Sequence, residues 1–369
     1  MARIAYAIMG EGGGHASRNS VIISKLAEQG DTIDVFTSFR TYDELSAKYQ
    51  SNKRVNVLKI PGLRYVYNPD KGKVSIRGTL RHNFWTVTKY PRTAYLLRKK
   101  ARQGNYDLFI YDLDFLFSIA NVHYARKNNI PTIMISHFAG FQFGKFRVGK
   151  RIQKKIRTLK LLLNLFNPRA DLMLLNAFYS PDTIKDPRVK FVGPLLKQEV
   201  YKHRPTDKGY VLVYINQPLE KMLYPKLSMI KDYTFIVYTK KPEMFNPKPH
   251  IKLKKFSPSF VSDLASCTCV IGPAGIELPS EAAYYEKPML AIPLKNQVEQ
   301  SVNGFFIEKL GIGKSIWFDK LSVSSILSFL KHQKEYKKSI RKFKRKKFKI
   351  GTDKVMEEIN RVLKKARVN

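Results

Sequence analysis

The sequence predicts an α/β chain made of two doubly wound parallel-sheet domains, and three observations carry that expectation. Short apolar, β-branched runs alternate with stretches of helical periodicity, the pattern of βαβ units feeding a parallel sheet. The alternation occurs twice, broken by a polar, proline-containing stretch near residue 200. The 369 residues are too many for one ordinary core but suit two.

The first series runs "RIAYAIM", "TIDVFTS", "RVNVLKI", "DLFIYD" and "PTIMIS", with helical stretches such as Ala16–Gln29 and Phe115–Asn128 between them. The second starts at Tyr210 with "YVLVYIN", "YTFIVYT", "CTCVIG" and "PMLAIP". Between them "VGPLLKQEVYKHRPTDKG" reads as a linker. The expected boundaries are a first domain over 1–193, a linker over 194–209 and a second domain over 210–350. A C-terminal helix over 351–369 is expected to pack back on the first domain. Folds of this kind bind ligands at the carboxyl ends of their strands, so a cleft between the two sets of loops is expected.

Composition narrows the class. With 44% hydrophobic and 12% aromatic residues the chain can bury real cores, which excludes a disordered polymer. Lys+Arg number 67 against 29 Asp+Glu, a net charge of +38, which points to polyanionic surroundings: nucleic acid or an anionic membrane face. Cys267 and Cys269 have no second pair to complete a zinc site and read as small core residues in a reducing compartment. No apolar run is long enough to span a bilayer. The N-terminal apolar run ends in glycines instead of a signal-peptide cleavage site. The expected location is cytoplasmic, peripheral at the inner face of the cell membrane.

Three segments concentrate the positive charge. The first spans 70–102, around "TLRHNFWTVTKY". The second, "GKFRVGKRIQKKIRTLKLLLNLF", contains no acid, and Val148, Ile152, Ile156, Leu159, Leu163 and Phe166 recur at spacings of three and four. That is an amphipathic helix with a cationic face. The third, "KHQKEYKKSIRKFKRKKFKI", sets Tyr336, Ile340 and Phe343 among dense lysines. No single-strand-binding signature accompanies these segments, so nucleic acid is not the expected partner.

Two stretches carry chemistry. "GEGGGHASR" closes the first apolar run, so Gly12, Gly13 and Gly14 serve either a phosphate loop or a tight turn, and His15 is either a base or a bystander. The second runs from Gly272 to Gly313. There a strand ends, Gly275 permits close backbone approach, and Pro279 falls in the first turn of a helix whose free amides attract a diphosphate. Glu281 can accept hydrogen bonds from a ribose diol. Glu299 and Gln300, at the next strand-to-helix crossing, pair a carboxylate with an amide, which suits neighbouring hydroxyls of a sugar ring.

These residues resemble the GT-B nucleotide-sugar glycosyltransferases. The likeness is to UDP-glucuronosyltransferases, plant UDP-glycosyltransferases and the peptidoglycan N-acetylglucosaminyltransferase, and most of all to a bacterial and archaeal branch with "AGxExPSEA" and "EQxxN" signatures. It extends in order from Gly10 to Gly313. The resemblance implies two Rossmann-like domains, the first for the acceptor and the second for the nucleotide sugar. It implies that Gly275 and Glu281 bind diphosphate and ribose, and that Glu299, Gln300 and Asn303 bind the donor sugar. "KFSPSFVSDLASC" resembles the loop bordering the uracil, with Phe256 and Phe260 as contacts. One departure stands out: plant-type members place a histidine two residues before the glycine, where this chain has Pro273. The helix start and the Asn216 loop are then left to carry the diphosphate charge.

His15 matches the family's general base at the end of the first strand, and a neutral imidazole suits that work near pH 7. "FIYDLDF" supplies Asp112 or Asp114 to orient it. In this reading the glycines keep the turn tight, Arg18 meets an anionic group, and His137 in "ISHFAGFQF" either faces the acceptor or is structural. "DLD" also imitates the metal-binding motif of the other glycosyltransferase fold. The order of motifs here is that of GT-B, which holds the diphosphate with a helix dipole, so neither a metal nor a cofactor beyond the UDP-sugar co-substrate is expected. The expected function is an inverting transfer of a hexose or N-acetylhexosamine from a UDP-sugar to a lipid-linked or cell-surface glycan acceptor. A non-hydrolysing nucleotide-sugar epimerase and a non-catalytic basic membrane- or RNA-binding protein on the same scaffold are the alternatives.

Overall fold

The computed structural model describes residues 1–11, 13–64, 66–68, 73–214, 217–295 and 297–368. The chain divides into two compact units. The first joins Met1–Val66, Ile76–Lys197 and Ile350–Asn369, and the second joins Tyr67–Ser75 and Gln198–Lys349.

The first unit is built on seven parallel strands: β1 (Arg3–Ile8), β2 (Thr32–Thr37), β3 (Val55–Lys59), β4 (Leu108–Asp112), β5 (Thr132–Ile135), β6 (Leu172–Leu175) and β7 (Val189–Phe191). Their order is β3-β2-β1-β4-β5-β6-β7. The sheet grows outward from β1 in both directions, so the chain changes direction across it between β3 and β4. That reversal sets the carboxyl ends of β1 and β4 side by side, where such sheets bind ligands. Every residue of β4 is buried, because helices cover both faces, and the strand therefore reads as a continuous apolar run.

Between these strands in the chain run the helices α1 (Gly13–Glu28), α2 (Phe39–Tyr49), α3 (Ile76–Thr88), α4 (Tyr90–Gln103), α5 (Phe115–Lys127), α6 (Phe138–Phe143) and α7 (Lys150–Phe166). Helix α1 begins three residues before the expected Ala16, so Gly13, Gly14 and His15 belong to its first turn. The turn before it is held by a close approach. A Cβ on Gly10 would stand 2.0 Å from Ser38 Oγ and 2.5 Å from Ser38 O, which only glycine avoids. Thr37 Oγ1 donates to Ile8 O at 2.8 Å and Thr41 Oγ1 to Met9 O at 3.0 Å, pinning the strand end from the neighbouring loop.

The second unit repeats the plan with six parallel strands: β8 (Tyr210–Tyr214), β9 (Thr234–Thr239), β10 (Ile251–Lys255), β11 (Cys269–Pro273), β12 (Met289–Ile292) and β13 (Gly313–Ser315). They lie in the order β10-β9-β8-β11-β12-β13. Its helices are α8 (Gln198–Tyr201), α9 (Gln217–Ser228), α10 (Ser259–Ser266), α11 (Glu277–Tyr284), α12 (Val298–Lys309), α13 (Val323–Lys331) and α14 (Gln333–Lys347). The expected linker over 194–209 contains α8, and Tyr285 Oη fastens it by donating to Val200 O at 2.6 Å. Cys267 sits between α10 and β11 and Cys269 opens β11; both are free and buried, and burial pushes the Cys267 thiol up to about 12.

Helix α15 (Thr352–Val368) follows the second unit in the chain but belongs to the first. Its Val355, Met356, Ile359 and Leu363 are buried in one cluster with Ile22, Ile23 and Leu26 of α1. Helix α7 departs from the expected stripe. It fully buries Ile156 and Leu163, whereas Phe166 is exposed together with Leu161, Leu162 and Leu165. Among the described residues, no helix is long and apolar enough to cross a membrane.

Candidate active site

The parallel register of β1 on β4 pairs Ile8 with Asp112, and Met9 N donates to Asp112 O at 3.0 Å. This places the first turn of α1 over the end of β4 and brings His15 to Asp112 across 97 positions of sequence: His15 Nδ1 lies 2.9 Å from Asp112 Oδ2. Asp112 is fully buried and the His15 side chain is mostly covered, with 12% of its surface exposed.

Arg18 stands one helical turn on from His15 and is buried. Its Nε and Nη2 donate to Asp112 Oδ2 at 3.0 and 2.7 Å. Asn19 adds a third donor residue, with Nδ2 at 2.7 Å from the same oxygen and 2.8 Å from His15 O. Tyr6 Oη in turn donates to Asn19 Oδ1 at 2.7 Å. The Asp112 carboxyl is held well below the usual carboxylate range: burial alone would raise it, and the charges of Arg18 and His15 with the His15 and Asn19 hydrogen bonds outweigh that. Its Oδ1 is buried without a hydrogen-bond partner among the described residues.

Arg18 Nη2 also lies 2.6 Å from His15 Nδ1, which limits the tautomers. A guanidinium has no acceptor and stays protonated. If Nδ1 carries the proton it donates to Asp112, leaving Nε2 bare to accept a proton from a ligand. If Nδ1 is bare it accepts from Arg18, and Nε2 is then the protonated nitrogen. Asp112 favours the first arrangement and Arg18 the second.

Asp114, the other expected partner, is not joined to His15. Its Oδ1 accepts from Phe117 N at 2.8 Å as the N-cap of α5, and burial pushes its carboxyl up to about 7. Leu113 between the two aspartates has φ of 54°, a left-handed conformation rare for such a residue. This twist separates the two, sending one to His15 and the other to the helix. The expected His137 lies close by: its ring centroid is 6.5 Å from that of His15 and 4.2 Å from that of Phe138, and it is buried. Gly12 lies outside the described residues.

The carboxyl edge of the second sheet carries the expected donor residues. Phe256, after β10, and Phe260, in α10, meet Tyr214 and Tyr238 at the ends of β8 and β9, with centroid distances of 5.0–6.0 Å. The two tyrosines were not singled out from sequence; their signal is an aromatic closing each apolar run. Gly275 precedes α11, and a Cβ built there meets nothing within 4 Å. Gly304 contrasts with it, since its Cβ would stand 2.3 Å from Ser315 Oγ. The fold therefore requires glycine at 304 and leaves open space at 275.

Glu281 is buried in α11. Gln300 Oε1 accepts from Leu294 N at 3.0 Å, and Asn303 Nδ2 donates to Ala274 O at 2.9 Å and lies 3.5 Å from Glu299 Oε1. These amides hold the loops after β12 and β11 in place, so part of their hydrogen-bonding capacity goes to backbone. Asn216 lies outside the described residues. Among the described residues no group of three or more His, Cys, Asp or Glu is suited to hold a metal ion.

Comparison with known proteins agrees with this architecture. Solved structures superpose along nearly the whole chain. MurG of Acinetobacter baumannii is 13% identical with a TM-score of 0.66, covering 98% of this chain and 100% of that one. Arabidopsis thaliana UGT89C1 complexed with UDP-L-rhamnose is 13% identical with a TM-score of 0.68, covering 97% and 98%. The calicheamicin glycosyltransferase CalG4 is 16% identical with a TM-score of 0.66, covering 98% of each chain. At these identities the likeness establishes the fold, which is GT-B. No curated protein matches the sequence. The family model described as Glycosyl transferase family 1 matches residues 2–333, nearly the full length, and the chain therefore belongs to glycosyl transferase family 1.

Proposed function

We propose that the protein is an inverting glycosyltransferase that moves a hexose or N-acetylhexosamine from a UDP-sugar to a hydroxyl of a lipid-linked or cell-surface glycan, with His15 as general base. The observation that carries the reading is the His15–Asp112 pair, with an imidazole 12% exposed and backed by a fully buried carboxylate. His15 Nε2 takes the proton of the acceptor hydroxyl as its oxygen bonds to the anomeric carbon. The bond from that carbon to the diphosphate breaks on the opposite face, and UDP leaves with the electron pair. Asp112 stabilises the imidazolium so formed.

The donor is assigned to the second unit. The open space at Gly275, ahead of the α11 amides, suits a diphosphate, and the aromatic group of Phe256, Phe260, Tyr214 and Tyr238 suits a base. Structural neighbours complexed with UDP-L-rhamnose and with dTDP support a nucleotide-sugar donor. Calorimetric titration with UDP in excess EDTA tests the assignment, together with transfer assays over a panel of UDP-sugars. UDP is expected to bind without divalent metal, and Glu281→Ala to weaken it by about 1–3 kcal/mol, the size of hydrogen bonds to a charged group. Binding lost on chelation, or unaltered in the variant, overturns it.

The membrane-borne acceptor is supported by the surface of the first unit. Helices α3, α4 and α7 contain no acidic residue. They expose Leu80, Phe84, Trp85 and Val87 on α3, Tyr95 and Leu96 on α4, and the apolar edge of α7. Apolar side chains among lysines and arginines suit an anionic bilayer face, each cation near it contributing on the order of 1 kcal/mol. Co-sedimentation with anionic but not neutral vesicles, reversed by salt, is the expected result; indifference to both assigns a soluble acceptor.

A further inference from the structure

We infer that the first unit carries a second ligand site, a cationic pocket that takes a phosphate group at the edge of the sheet opposite His15. The strands of this sheet all run the same way, so position in sequence fixes the edge. His15, Asp112 and His137 follow or close the carboxyl ends of β1, β4 and β5. Arg169 comes just before β6, and Lys185 and Arg188 just before β7, at the amino edge. With Lys145 and with Lys160 of α7 they line a pocket of about 510 Å³. A ligand there is neither the donor nor the acceptor of a transfer at His15, and the inference does not depend on that reaction.

The charge of the pocket is not balanced by the protein. Five cations line it against one carboxylate, Asp186, which is occupied by Arg188 at 2.7 and 2.9 Å. The Arg169 charge also acts on Asp186 from farther off, and Lys145, Lys160 and Lys185 form no ion pair among the described residues. Like charges gathered around a concavity repel one another, and the field they focus there is relieved by a bound anion. Two features orient the arginines. The Arg169 guanidinium lies 5.6 Å from the centroid of the Phe143 ring, and Asp186 grips that of Arg188 with two parallel bonds. A planar guanidinium beside several ammonium groups is the chemistry that recognises a doubly charged phosphate. That phosphate comes either from a soluble ester or from a phospholipid headgroup. The exposed Leu161 and Leu165 adjoin Lys160 and Asn164 on α7, which gives acyl chains a place beside the pocket.

The test uses the full chain saturated with UDP, so that any donor site is filled. Inorganic phosphate is titrated by calorimetry, and vesicles of phosphatidylcholine with and without phosphatidic acid are co-sedimented. The pocket variant Lys145→Glu/Lys185→Glu changes two exposed side chains, and Lys342→Glu/Lys346→Glu on α14 makes the same charge change in the second unit. Unchanged thermal melting shows that both fold. Phosphate or phosphatidic-acid binding is expected to fall about tenfold or more in the pocket variant and to persist in the α14 variant. Loss in the phosphate arm identifies a soluble ester, and loss in the vesicle arm alone a headgroup. Equal weakening by both variants, or no response to the pocket variant in either arm, overturns the site.

Discussion

Replacing His15 with alanine is expected to lower glycosyl transfer by about two to four orders of magnitude, the range lost with a general base, while UDP binding stays unchanged. The fold tolerates the change because Asp112 keeps its donors from Arg18 and Asn19. Initial rates under saturating donor, set beside calorimetry with UDP, separate the two effects. Transfer that survives would move the proton to another group: Asp112, Asp114 or His137, whose ring centroid lies 6.5 Å from that of His15. A parallel loss of UDP affinity would instead assign His15 to donor binding.

Asp112→Asn is expected to be the most destabilising single change at the site, by about 3–5 kcal/mol, the cost of leaving one partner of a buried ion pair alone. Arg18 cannot shed its proton in response, and it is as thoroughly buried as the carboxylate it faces. Denaturant unfolding at neutral pH measures the loss, and a change under about 1 kcal/mol would place the pair in the weak class of solvated bridges. The two aspartates also respond to acid in opposite senses. Asp112 is held below the ordinary carboxyl range, so its contribution is complete above that range and is lost as pH falls through and below it. Asp114 is raised to about 7, so ionising it costs folding free energy, and its contribution declines as pH climbs from the ordinary range to about 7. Asp114→Asn preserves an acceptor for Phe117 N and removes that decline. Unfolding curves between about pH 4 and 7 should show the variant gaining on the wild type as pH rises.

The central strands were legible because they are buried on both faces and read as apolar runs. The short β6 went unread, as did the edge strands β7, β10 and β13, each carrying a lysine. The strand-to-helix crossing around Gly275 was legible because an apolar run ends there in Gly272-Pro273 and a helical stretch follows. The choice between Asp112 and Asp114 was not, since both stand at the end of one strand and the left-handed turn at Leu113 leaves no mark in composition. Arg18 was expected to meet an anionic group, and the group it meets is Asp112, which requires knowing that β4 lies beside β1. Asn19 and Tyr6 escaped notice because the i to i+4 spacing of His15 and Asn19 gains meaning only once a carboxylate is placed beside both. The work that Gln300 and Asn303 do for backbone groups at Leu294 and Ala274 depends on loop contacts no periodicity reveals.

The position of α15 has a consequence for synthesis on the ribosome. Domains generally complete themselves in the order in which they emerge. Here the face of α1 that carries Ile22, Ile23 and Leu26 stays uncovered until residues 355–363 arrive, after the whole of 198–349 has been made. The downstream unit is therefore the first able to finish, and the upstream one waits with an apolar strip open to solvent or to a chaperone. The closing segment acts as a late fastener, and the unit bearing His15 is sealed only after the chain of the other has been made.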